Sequence, residues 1–340
     1  MDKVKVAVLG STGIVGQVFT WMLSNHQWYD PIYLSASPGR NNKRYGDTVN
    51  WVLPYNLPKD IADRTINAID YDKLNDLRIK IIFSALPSDV AATIEPELRQ
   101  RGFHVFTNAG AMRYENDVPI LIPEVNHNAI DLIAKQGYPD NGFIIANANC
   151  SVTGLAIALA PLVKYGITEV FVSTYQSISG AGYPGLSAMD ISGNVIPFIQ
   201  NEESKIAHEL QKILGVGINT FPFCVRVPTL IGHLETVWLK FKMSVTEDDI
   251  IDAWRSFRYT DTRTPSLPEK PIIYSEIENF PQTKMCFQGT PTGMPIFTGR
   301  LKKQNCWFGF VLLVNNLVRG AAGGSIANSE IFLAKYGDHA

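Results

Sequence analysis

The chain has 340 residues, 46% of them hydrophobic and 18% charged, with a formal net charge of −2. That supplies apolar matter for two separate cores and excludes a broad basic field for nucleic acid. No apolar run approaches the ~18 residues of a membrane span, so neither membrane nor nucleic acid is an expected partner.

The first strand is expected at residues 3–9, ending on the loop Gly10-Ser11-Thr12-Gly13-Ile14-Val15-Gly16, with a helix over 14–25. A leading apolar run that stops at glycines, with no small-residue cleavage site, does not read as a signal peptide. Glycines between a strand and a helix allow a tight turn and close approach of a pyrophosphate, which the helix N-terminus attracts. A second strand, 31–35, leads to Ser35-Ala36-Ser37-Pro38-Gly39-Arg40, then Lys43 and Arg44. A carboxylate at this point selects NAD, and none is present. Hydroxyls and Arg40 suit the 2′-phosphate of NADP, although these cations also suit a solvated loop. Strands at 79–85 and from 104, with a helix over 90–101 between them, continue a βαβ rhythm and predict a parallel sheet.

After residue 150 the pattern changes. A helix over 151–164 and strands at 168–175, 235–243, 296–302 and 307–314 are expected, and residues 235–243 alternate with period two. Half-buried antiparallel strands look like that. A helix over 321–336 follows the glycine-rich segment 320–324, which suits close packing against another backbone or a cofactor. The expected fold is α/β: a Rossmann-type NADP-binding domain (1–149 plus 316–340) and an α+β catalytic domain (150–315) with a mixed or antiparallel sheet.

Cys150, Cys224, Cys286 and Cys306 are widely spaced, and the six histidines form no metal-binding cluster. A reduced, metal-free, cytoplasmic protein is expected. Cys150 differs from the other three. In Asn147-Ala148-Asn149-Cys150-Ser151 it stands where a polar stretch becomes a helix, a position that favours thiolate and leaves N–H groups free for an oxyanion. The other cysteines read as structural. His26, His127 and His339 read as surface histidines, whereas His233 begins a strand and is a candidate base, with a structural role equally open.

GSTGIVG, SALPS (84–88), NANCSVTG, QSISGAGYPG (176–185), NEESKI (201–206), RVP with GHLE (226–235) and RGAAGG (319–324) occur in this order over nearly the whole chain. Together they resemble the aspartate-semialdehyde dehydrogenases, in the branch typical of archaea and fungi. The resemblance implies NADPH-dependent, reversible reduction of L-4-aspartyl phosphate to L-aspartate 4-semialdehyde and phosphate, on the route to lysine, threonine and methionine. It also implies a fold like that of glyceraldehyde-3-phosphate dehydrogenase, in which the second domain (150–315) serves dimerisation as well as catalysis, and a homodimer or homotetramer.

By the same resemblance Cys150 is the nucleophile, His233 the acid/base, and Gln176 an orienting group. Arg226 would grip the substrate α-carboxylate and Glu202 its ammonium group, with Lys205 and Arg113 holding phosphate. Read alone, Glu202 and Lys205 are an exposed helical ion pair. Ser84, Leu86, Gly182 and Asn316 would join the glycine loop, Ser37 and Arg40 around the cofactor. Ala148 departs from the family's usual proline, the segment 108–113 lacks a usual serine, and Asn315 stands where histidine is common. A malonyl-CoA reductase shares the scaffold, the cysteine and the histidine, but tends to lack the Glu-x-x-Lys and Arg-Val-Pro features present here. N-acetyl-glutamyl-phosphate reductase would leave Glu202 without an ammonium partner. A nucleotide-sensing protein would need no nucleophile.

Overall fold

The computed structural model describes residues 3–261 and 263–337; His339 lies outside them. The first sheet holds β1 (Val4–Leu9), β2 (Tyr29–Ser35), β3 (Ile66–Asn67), β4 (Ile81–Ser84), β5 (His104–Thr107), β6 (Ile120–Leu121) and β7 (Phe143–Asn147). Its order is β3-β2-β1-β4-β5-β7-β6, and every pairing is parallel. Its strands are buried on both faces, which is why they read as short apolar runs without alternation. The order reverses direction between β1 and β4, the place where open α/β sheets bind ligands.

The second sheet holds β8 (Ile167–Gln176), β9 (Asn219–Arg226), β10 (His233–Phe241), β11 (Ile272–Ser275), β12 (Ile296–Gln304) and β13 (Trp307–Val314), in the order β11-β12-β13-β10-β8-β9. The alternation on β10 holds: Val237 and Leu239 are buried, Trp238 and Lys240 less so. The sheet is mixed, since β8–β9 and β11–β12 are parallel while the three central pairings are antiparallel.

Five helices matter to the site: α1 (Ile14–Ser24), α2 (Ser88–Gln100), α3 (Cys150–Leu159), α4 (Glu202–Leu214) and α5 (Gly323–Tyr336). Helix α3 is buried on all sides after Cys150 and shares a core with the inner face of the second sheet. It ends at Leu159, because Pro161 cannot continue the ladder, and a 3-10 turn runs on to Tyr165. Helix α5 packs Ile326, Ala327 and Phe332 into the first core with Val6, Phe83 and Phe143. It starts later than residue 321, after a widened turn over Val318–Ala322 that is kinked at Ala321.

Two readings need correction. Cys306 is exposed at the β12–β13 turn and is no core residue. His26 is buried, with Nε2 2.8 Å from Glu330 of α5, a partner 304 residues away that no local pattern reveals.

Candidate functional site

The glycine loop follows β1, and the ends of β1, β2 and β4 lie level, with Leu9 paired to Ser35 and to Ser84. Gly10 has φ +73°, and a Cβ there would stand 2.5 Å from the Ala85 carbonyl oxygen; one on Gly16 would stand 2.2 Å from that of Gly10. Those two glycines are fixed by the protein itself. A Cβ on Gly13 would meet only the Gly10 oxygen, at 3.4 Å. The space above Gly13 is therefore free of protein atoms.

Further features fit a bound dinucleotide phosphate. Helix α1 has no side-chain cap at Gly13, so the N–H groups of Ile14, Val15 and Gly16 face outward with the helix dipole behind them. The hydroxyls of Ser11 and Ser84 are buried; among the described residues that of Ser11 has no hydrogen-bond partner, while that of Ser84 lies against the Glu95 carboxyl. Thr12 and Leu86 sit half-buried beside the loop. Ser37 is exposed at the end of β2, and among the described residues Arg40 makes no side-chain hydrogen bond or ion pair. Lys43 and Arg44 are engaged elsewhere, Lys43 with the Gly39 carbonyl and Arg44 with Asp47 and Asp63. Of the three cations after β2, Arg40 is the one left for a ligand.

Across the crevice, strand register brings the candidate catalytic residues together. Gln176 ends β8 and pairs with Arg226, which ends β9; His233 opens β10 and pairs with Val314, which ends β13. Cys150 opens α3, whose cap is Asn149, with Oδ1 accepting from the N–H groups of Ser151 and Val152. Cys150 Sγ and His233 Nε2 are 3.2 Å apart, although 83 residues separate them in sequence. A cavity of about 650 Å³ runs from Val15 past Cys150, Gln176, Gly182 and Asn316 to Glu202, Lys205 and Arg113.

His233 is completely buried. The N–H of Ser177 donates to Nδ1 at 3.1 Å, which in the neutral ring leaves the proton on Nε2, facing sulfur. The Ser177 hydroxyl is 3.2 Å from the same nitrogen and donates to Asn316 Oδ1, so it can accept when Nδ1 carries the proton. Asn316 is pinned by the Gly232 N–H and by donating to Ser179 Oγ. Its amide thus serves the histidine, and the cap of the following turn is Asn315 instead.

Burial, and then Glu202, push the Cys150 thiol up to about 12 against the lowering by Arg113, Arg226 and the Ser151 N–H. Burial, and then Arg226, pull His233 down to about 3. Both shifts run against the thiolate that the helix start favours.

Glu202 is 8% exposed, not a solvated surface acid. Burial raises its pKa, but Lys205 at 2.8 Å and donors from Asn149 and Gln176 outweigh that and leave it lowered. Arg226 Nη1 donates to the Ser177 carbonyl at 2.7 Å. Arg113 is bound to Glu209 at 3.0 Å, in a pair hidden from solvent.

Several residues of the site escape a reading of the sequence. Ser177 follows Gln176 without distinguishing chemistry, and Glu209 is seven residues beyond Glu202, on the same helical face. Gly180 is required because a Cβ would meet Arg226 Nη1 at 2.7 Å and the His233 ring at 3.1 Å.

Known proteins resemble this chain along most of its length. Residues 5–133 match the family model "Semialdehyde dehydrogenase, NAD binding domain", and residues 159–319 match "Semialdehyde dehydrogenase, dimerisation domain". The aspartate-semialdehyde dehydrogenase of Archaeoglobus fulgidus is 39% identical over 97% of this chain and 98% of its own. A malonyl CoA reductase (NADP) of Metallosphaera sedula is 35% identical over 97% of each. The crystal structure of aspartate semialdehyde dehydrogenase with NADP from Candida albicans superposes with a TM-score of 0.88 at 32% identity, covering 98% of this chain and 99% of that one.

Proposed function

The chain belongs to the semialdehyde dehydrogenase family, and from that premise we propose that it is an aspartate-semialdehyde dehydrogenase working through Cys150. The observation that carries the reading is the 3.2 Å contact between Cys150 and His233 at the mouth of a cavity that also offers Glu202, Lys205 and Arg113. A substrate with a carboxylate, an ammonium group and a phosphoryl group needs both signs of charge, and a malonyl thioester needs no Glu202.

Cys150 sulfur attacks the acyl carbon of aspartyl phosphate in the tautomer of His233 that carries its proton on Nδ1, toward the Ser177 hydroxyl. The thiol proton then passes to the free Nε2, and the departing phosphate meets Arg113 and Lys205. The Cys150 N–H at the start of α3 holds the carbonyl oxygen. Residues 10–16, Ser37, Arg40, Ser84, Leu86 and Gly182 would hold NADPH, which when bound would supply the hydride for reduction at the acyl carbon. His233 then manages the proton of the tetrahedral intermediate as semialdehyde leaves and the thiol reforms. Gln176 and Arg226 orient the amino-acid end throughout.

We divide the chain at residues 149 and 315, with 316–340 returning to the nucleotide domain. The outer face of the second sheet carries half-exposed Phe171 stacked on Phe221 at 4.5 Å, with Phe223 67% exposed beside them. We read this face as the surface between two copies, in a dimer or a pair of dimers. Among the described residues no helix is long and apolar enough to cross a membrane, and all four cysteines are unpaired. These observations support a cytoplasmic enzyme.

The test is NADPH oxidation with aspartyl phosphate beside malonyl-CoA, using Cys150→Ser as control. Turnover is expected with aspartyl phosphate and is lost in the variant. Preference for malonyl-CoA would overturn the substrate and leave the fold standing.

A further inference from the structure

The segment between β5 and β6 carries Arg113, and helix α4 holds it from outside. Residues 202, 205, 209 and 212 of α4 recur at helical spacing and share one face. The first two belong to the substrate cavity. The second two serve the segment that carries Arg113.

Glu209 Oε1 accepts from Arg113 Nη1 at 3.0 Å, and its Oε2 accepts from the Asn149 N–H at 2.7 Å. Lys212 makes no ion pair among the described residues. Its Nζ instead donates to three backbone carbonyls, those of Arg113 at 2.8 Å, Glu115 at 2.9 Å and Val118 at 3.0 Å. An ammonium group has three N–H donors, so all of them are spent on one loop. Arg113 Nη2 donates back to the Asn108 carbonyl at 3.0 Å. Arg113 is therefore fixed at its guanidinium by Glu209 and at its carbonyl by Lys212, two residues one helical turn apart.

The geometry points to Lys212 as a positioning residue for the phosphate step, acting through Arg113 and touching no substrate itself. This rests on the reading that Arg113 grips phosphate. A fork donor works only when its plane is held. Without Lys212 the segment from 113 to 118 has three carbonyls released to water, and Arg113 keeps only its side-chain tethers.

The experiment measures the oxidative direction, with phosphate and semialdehyde varied in turn, for Lys212→Met, Lys212→Arg and Arg113→Ala. Lys212→Met is expected to raise the phosphate KM about tenfold with kcat and the semialdehyde KM within about twofold. Lys212→Arg, which keeps several donors, recovers most of the loss. Arg113→Ala raises the phosphate KM further. A folded Lys212→Met enzyme with an unchanged phosphate KM, beside an impaired Arg113→Ala, overturns the role of Lys212 and leaves the phosphate site intact. An unchanged KM in both overturns the reading of Arg113 as well. A uniform fall in kcat with no change specific to phosphate marks Lys212 as merely structural and counts against the inference. Should Lys212→Met fail to fold, Lys212→Gln carries the same prediction.

Discussion

Gly320 lies against Cys150 so closely that a Cβ on it would be 2.8 Å from the cysteine Cβ and 2.9 Å from its Cα. The first turn of α3 and the widened turn before α5 meet here without any side chain between them. Gly320→Ala must push Cys150 aside. Because the obstructing atoms are the Cβ, Cα and carbonyl oxygen of Cys150, none of which can swing away, kcat is expected to fall roughly a hundredfold, the scale of an ångström's misplacement at a reacting centre. The measurement is steady-state turnover alongside thermal melting. Full activity in the alanine variant would show that the two backbones have room to separate.

The upward shift of the Cys150 thiol has its own signature. With the thiol pushed up to about 12, alkylation of Cys150 should rise steadily with pH from 7 through 9 instead of levelling off below neutrality. Comparing iodoacetamide rates with a Cys150→Ser control isolates this sulfur from the exposed Cys306. A plateau at acidic pH would mean that thiolate is stored in the free enzyme.

Arg40 is the cation after β2 without a partner, so it should carry cofactor choice. Arg40→Ala removes a charge-assisted contact worth ~1.5–3 kcal/mol and should raise the NADP KM roughly ten- to a hundredfold. The NAD KM should barely move. Equal changes for both cofactors would place the 2′-phosphate elsewhere.

His104 should set part of the acid limit of stability. It stacks on Phe143 at 4.5 Å, its Nδ1 has no hydrogen-bond partner, and burial pulls its pKa down from 6.5 to about 4. Its folded value is below its unfolded one, so the unfolded chain takes up the proton first. The contribution is complete above pH 6.5 and is lost as pH falls toward 4, on the order of 3 kcal/mol in all. His104→Phe should flatten urea-measured stability over that window and change little at pH 8. An unaltered slope would assign the acid sensitivity to other groups, His233 first among them.

Local chemistry made much of this molecule legible. The glycine loop announced itself because a strand, a tight turn and a helix start are all short-range demands. Cys150 stood out by its place at a polar-to-helical transition, and the alternation on β10 followed from a half-buried sheet. Helix α3 was harder to bound, since a helix buried on every side has no polar face to mark its ends. Ser177 and Glu209 carried no sign of their roles. Their meaning lies in what they touch, His233 for one and Arg113 with Asn149 for the other.

By itself, the order of residues determined the α/β class and the glycine loop and singled out Cys150 as the candidate nucleophile, because each depends on neighbours within one or two turns of chain. Tertiary structure alone decided the rest: the contact of Cys150 with His233, the burial that disfavours charge on that pair, and the clamp on Arg113. Those depend on the register in which the ends of β8, β9, β10 and β13 meet, and on how thoroughly the assembled layers exclude water. Register joins residues dozens to hundreds of positions apart, and exclusion of water is a property of the closed interior, so neither is written in any local stretch.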